Sequence, residues 1–215
     1  MKRSIASICL STLVLGAMAL PLVAGDKDQS KPASAPVMSP EMAQAMQRME
    51  AYGALNENHA YLKQFEGEWD CTSKWWMSEG ATPVENKCSS TAKVSFDGHF
   101  LIEKYTGNFT MGEGMPPQPF QGMCTMGYDN HRKQFVNTWI DNWTSGMMTE
   151  YGSASEGGRV FTFEGENYCC MNDKICKSKS VITFVNPDTR KMEMWAPGLD
   201  GKVYKAMEMT LTHKK

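Results

Sequence analysis

Three carboxylates stand where an alternating strand pattern would turn them away from solvent: Glu103, Asp141 and Glu150. Acids held close together in an apolar interior can separate their pKa values and do general acid/base work. The same acids among aromatic side chains can instead fix the polar end of a small ligand. Tyr105, Trp139 and Met148 are the residues that the alternation places beside them. For Asp141 the structural alternative is an acid that accepts hydrogen bonds from backbone amides at a strand end. Thioethers offer a second chemistry. Met192-x-Met194 and Met207-x-Met209 each put two sulfurs on one strand face, and a tight turn at Asp200-Gly201 would make the pairs cross-strand neighbours, a soft cluster suited to Cu(I). Methionine is also common core filler. That register sets Glu193 against Glu208, which requires one acid to be protonated, both to be solvated, or the register to differ. No nucleophile elbow, phosphate-cradling glycine loop or histidine-rich metal spacing occurs, and no cofactor is implied.

These side chains need a scaffold, and the chain divides simply. Met1-Lys2-Arg3, an apolar run from Ile5 to Val23 and small residues at Ala24-Gly25 read as a secretory signal peptide over 1–25. The run carries Ser4, Ser7, Ser11, Thr12, Gly16 and Pro21, too many interruptions for a membrane anchor. Residues 26–39, rich in Ser, Pro, Ala and Lys, form a flexible tether. Residues 40–215 are long enough for one hydrophobic core and one domain. A net charge of −2, with no basic stripe, argues against nucleic acid or an anionic membrane as partner. The expected address is the periplasm or the exterior, with no membrane association after signal cleavage; the oligomeric state is left open.

From Pro40 the pattern is helical to Gly53, with Met38, Met42, Met46 and Met49 stacked on one face, expected to dock on the protein's own core. A second helical piece runs from Asn58 to Phe65, so the helical segment spans 40–66. After Gly67 the period becomes two, and turn residues punctuate it. Strands are expected at 68–77, 84–96, 99–110, 119–128, 134–141, 147–155, 159–168, 177–186, 191–196 and 202–213. About ten strands with no helix between them make an all-β antiparallel meander, which closes into an up-and-down barrel to remove its edges. A two-sheet sandwich is the alternative.

Turn chemistry assigns the faces. Asp97-Gly98 is a hairpin signal that pairs Val94 with Leu101, Ala92 with Glu103 and Ser90 with Tyr105. Lysines mark the opposite face as the outer one, so Glu103 and Tyr105 point inward across from small residues. If Glu103 serves a ligand, Glu103→Gln leaves folding intact; a large loss of stability makes it a structural acid. The hairpin at Trp143-Thr144-Ser145-Gly146 sets Asp141 opposite Met148 and Trp139 opposite Glu150. The loop from Met111 to Gln118 falls at the mouth of such a barrel.

The cysteines follow the same parity. Of seven, Cys9 lies in the leader, and the six that remain in an exported chain read as disulfides rather than zinc ligands. No C-x-x-C pair exists and the four histidines are scattered. Cys71 falls opposite Cys88 on the face of Trp69, Ser73 and Trp75. Cys169, Cys170 and Cys176 flank a loop tip that one bridge to Cys176 would close, and Cys124 takes the cysteine left over.

Asn58-His59 through Gly67-Glu68-Trp69, Gly127-Tyr128-Asp129, Thr138-Trp139-Ile140-Asp141 with Gly146-Met147-Met148, and Met207-Glu208 together resemble the bacterial domain of unknown function family 1579. The resemblance covers nearly all of the mature domain. It implies a lipocalin-like barrel and brings no activity with it. Gly67-x-Trp69 is also similar to the calycin signature, in which the Trp packs across the closed end of the barrel. Haem-binding nitrobindins share that architecture but carry further glycines where this chain has Asp70-Cys71-Thr72; by that resemblance His213 would be the candidate haem ligand. The function expected is non-enzymatic binding of a small apolar or amphipathic molecule by Glu103, Tyr105, Trp139, Asp141, Met148 and Glu150. The alternatives are an acid/base enzyme and a Met-lined Cu(I) protein.

Overall fold

The structure, a computed structural model, describes residues 38–112, 114–170 and 172–215. The expected signal peptide, and the tether up to residue 37, lie outside the described residues. Helix α1 spans Pro40–Gly53 and α2 spans Glu57–Ala60, followed by a 3-10 turn at Tyr61–Phe65. Ten strands follow: β1 Gly67–Trp75, β2 Val84–Ser95, β3 Phe100–Phe109, β4 Gln118–Asp129, β5 Gln134–Asp141, β6 Met148–Ser155, β7 Val160–Cys169, β8 Lys174–Asn186, β9 Thr189–Pro197 and β10 Val203–His213. Each pairs antiparallel with its neighbours in sequence, and β1 closes on β10. Closure leaves no strand edge unpaired, which is why the barrel forms and not the sandwich. Among the described residues no helix is long and apolar enough to cross a membrane, which says nothing of a β-barrel.

The β2–β3 hairpin has the expected register, with Val94 opposite Leu101, Ala92 opposite Glu103 and Ser90 opposite Tyr105. Phe96 and Asp97 both take positive φ to make the turn. Met192 faces Met209 and Met194 faces Met207 across β9–β10. Glu193 and Glu208 are opposed as expected, and the conflict is resolved by a residue outside that pair. The Lys205 ammonium lies 3.0 Å from Glu193 and 2.6 Å from Glu208, a bridge made by the bulge between Lys205 and Met207.

One end of the barrel is plugged. Leu62 and Phe65 from the 3-10 turn drop into it and are fully buried with Trp69 and Phe161, beside the buried Phe184. Rings meet edge to face, Phe65 at 4.8 Å from Phe184 and 5.2 Å from Phe161. The Trp69 indole donates to the Phe65 carbonyl at 2.9 Å, tying the turn to β1. Gly67 has φ +129, and a Cβ there would lie 2.2 Å from His213 Nε2, so the Gly of Gly-x-Trp is required by both conformation and space.

Two expectations are corrected. The methionine stripe is not buried: no residue of α1 is buried, and Met42, Met46 and Met49 are 57, 52 and 74 % exposed. Leu62 and Phe65, and not the α1 methionines, fill the plugged end of the barrel. Asn130 secures the C-terminal end of α1, donating to the carbonyls of Tyr52 and Ala54 at 2.8 and 2.7 Å. The β5–β6 hairpin is shifted by two residues, so that Trp139 faces Met148 and Asn137 faces Glu150. Asp141 accepts from the amides of Trp143 and Thr144 at 2.9 and 2.8 Å, which turns the chain earlier than a tight turn centred on Thr144-Ser145 would. A shift of two keeps every side chain on its face.

Candidate functional site

Beyond the plug the lumen is open space, a cavity of about 380 Å³. It reaches the loops that join β1 to β2, β3 to β4 and β5 to β6, where Met77, Met111 and Trp143 line it while remaining partly in solvent. Glu103, Tyr105, Trp139, Asp141, Met148 and Glu150 all line this one cavity. Period-two parity places them there.

Aromatic side chains make one wall. A Cβ on Gly122 would lie 2.4 Å from the Trp139 ring, so the indole lies flat over β4 where any other residue would lift it. Tyr105 meets Trp139 edge to face at 5.4 Å, and Phe120 stacks on Phe109 at 4.4 Å. Burial, the largest influence, and then the charge of Glu103 push the Tyr105 hydroxyl well above its ordinary pKa, so it remains a neutral phenol. The four paired methionines Met192, Met194, Met207 and Met209 line the cavity from β9 and β10.

The three acids have separate circumstances. Glu103 is 2 % exposed and forms an ion pair with the equally buried Arg190, while the Ser90 hydroxyl also donates to it. The Arg190 guanidinium lies 4.6 Å from the Trp69 ring and 5.0 Å from that of Phe65. Glu103 is therefore part of the plug, holding a cation stacked between two aromatic rings. Asp141 accepts from the Trp139 indole at 2.8 Å in addition to the two amides. Burial alone would raise its carboxyl; the donors outweigh it and hold the pKa below the ordinary carboxylate value. Glu150 is 6 % exposed and accepts from Ser178 at 3.0 Å and from Ser180 at 2.8 and 3.0 Å.

Asp141 sets a pH dependence. A depressed folded pKa contributes stability that is present above the unfolded value, near 4, and is lost as pH falls through the folded one. Asp141→Asn should therefore lower the thermal midpoint at pH 7 and flatten its fall on acidification below about pH 4 relative to wild type. Equal acid sensitivity of the two proteins would contradict this role.

All six cysteines expected in disulfides, Cys71, Cys88, Cys124, Cys169, Cys170 and Cys176, are free thiols here. Cys71 and Cys88 are cross-strand partners as the parity implies, and the Cys71 thiol donates to the Trp69 carbonyl at 3.9 Å. The Cys88 thiol beside it draws Cys71 below its ordinary pKa. Cys169 and Cys176 share the Asn172 amide, at 3.5 and 3.9 Å, and Cys176 lies inside β8, which starts earlier than expected. Cys124 has no cysteine opposite it; its neighbours across the ladders are Glu103 and Trp139, and its thiol donates to Asn137 at 2.9 Å.

Arg190, Ser178, Ser180 and Asn137 escape a reading confined to hairpins. Parity carries the signal for Arg190, which alternates with Met192 and Met194. Among the described residues no three His, Cys, Asp or Glu cluster to hold a metal. The haem reading does not fit the donor set: no histidine lines the cavity. His213 packs edge to face on Trp69 at 4.8 Å, at the plugged end.

A closed ten-stranded up-and-down barrel, plugged behind a Gly-x-Trp and hollow at the other end, defines a calycin-like barrel domain. The chain belongs to the family described as protein of unknown function DUF1579, whose model matches residues 55–213. No curated protein matches it. Among solved structures it is similar to Rv2717c from M. tuberculosis, at 12 % identity over 75 % of this chain and 100 % of that one, with a TM-score of 0.55. That likeness shows the fold. A redesigned β-barrel, b11L5F_LGL, is 13 % identical over 72 % of this chain and 96 % of its own, with a TM-score of 0.35.

Proposed function

We propose that this is an exported barrel that binds one small apolar or amphipathic molecule in its lumen without transforming it. The observation that carries this is the cavity itself: about 380 Å³, walled by aromatic and methionine side chains and reaching the loop end. Its size lies within the range of small-molecule sites, which are largely apolar with a few placed polar groups. Binding is favoured over acid/base turnover because Glu103 is engaged by Arg190 and Asp141 by its loop amides. Neither has the freedom that proton transfer to a substrate needs. The cross-strand register of Cys71 with Cys88 supports a disulfide between them in an oxidising compartment.

A Met-lined Cu(I) site is the second reading, favoured by the cross-strand register of Met192 with Met209 and Met194 with Met207. Native mass spectrometry of protein purified from the compartment to which its own leader directs it tests both. A retained organic mass is the expected result. A copper adduct lost on replacing Met207 and Met209 by Leu would favour the second reading, and a bare protein that also fails to take up hydrophobic probes would overturn the first.

A further inference from the structure

We infer that the lumen selects small organic cations, an apolar or aromatic body bearing an ammonium group, with Glu150 as the residue that receives the charge. The inference rests on the proposed ligand-binding reading and narrows its substrate class. Among the cavity-lining residues there are three carboxylates, Glu103, Asp141 and Glu150, and one guanidinium, Arg190. Arg190 is taken by Glu103, and Asp141 is bound by an indole and two amides. Glu150 faces the same space, forms no salt bridge among the described residues, and has only the hydroxyls of Ser178 and Ser180 as donors. A carboxylate offers about four lone-pair sites, so two hydroxyls leave acceptor capacity.

The fold builds this position deliberately enough to be recognised. Glu150 is on β6, yet its hydroxyl partners are on β8, so the side chain must cross β7. It crosses at Gly165, where a Cβ would lie 3.0 Å from Glu150 Cγ. Asn137, its partner across the β5–β6 ladder, also lines the cavity and has a carbonyl oxygen that accepts from Cys124. Trp139 lies one diagonal step along the same face, about 7–8 Å in Cα terms, within reach of a cation shared between a carboxylate and an aromatic wall. A buried carboxylate without a cation favours a ligand that brings one and disfavours anions of the same shape.

Isothermal titration of the mature protein with three probes of one shape, 2-naphthylmethylammonium, 2-naphthalenemethanol and 2-naphthoate, tests this. In wild type the ammonium should bind about tenfold or more tighter than the alcohol, the energy of one modest charge-assisted contact, and the naphthoate weakest of the three. In Glu150→Gln the ammonium-to-alcohol ratio should fall to about one, with the thermal midpoint followed to establish that the barrel is intact. If the wild type binds alcohol as tightly as ammonium, the charge preference is overturned while ligand binding stands. If the preference survives in Glu150→Gln, the assignment to Glu150 is overturned. If none of the three probes binds, the inference and the reading beneath it both fall.

Discussion

Arg190→Ala should lower the unfolding free energy by about 3–5 kcal/mol, the scale for breaking a buried ion pair from one side. Glu103 would be left buried, at 2 % exposure, without its cation, with Ser90 as its one remaining donor. The stacking of the guanidinium between Trp69 and Phe65 would go as well. Glu103→Gln should also destabilise strongly, because it strands Arg190 instead, and that outcome makes Glu103 a structural acid and not a ligand-binding one. The double variant Arg190→Met with Glu103→Leu should recover most of the loss, since apolar residues of similar volume can replace a buried pair at little cost. Urea denaturation followed by circular dichroism measures all three. A loss under about 1 kcal/mol for Arg190→Ala would mean that the plug does not depend on the pair.

Filling the lumen should separate binding from folding. Ile182 is 8 % exposed on β8, between Phe161 of β7 and Met192 of β9, with its side chain on the cavity wall. Ile182→Trp adds an indole to open space and not to packed core. Stability should hold or rise, because cavity surface is removed without displacing neighbours. Affinity for the tightest naphthalene probe should drop about a hundredfold, close to 3 kcal/mol. Unchanged affinity in a stable Ile182→Trp would place the ligand outside the lumen.

Much of the architecture is legible in local pattern. Alternation after Gly67, with turn residues at regular intervals, specifies the strands, and strands without helices between them specify an antiparallel meander. The Asp97-Gly98 turn sets its register correctly because few residues intervene to add slack. Parity brings Glu103, Tyr105, Trp139, Asp141, Met148 and Glu150 to one lumen, and parity survives the two-residue shift of the β5–β6 hairpin. The methionine pairing of β9 with β10 follows from the same logic.

What each inward residue does there is another matter. The cation of Glu103 comes from β9, which is not a neighbour of β3 in the ladder, so no hairpin register could reveal it. The hydroxyls that hold Glu150 lie two strands away across a glycine. The exposure of the α1 methionines does not follow from their spacing. Strand identity and side-chain parity are consequences of neighbouring residues and turns, and the sequence by itself determined them here. Charge neutralisation and the division of the lumen into a packed end and a hollow one depend on side chains that meet only when the barrel closes, and tertiary structure alone decided those.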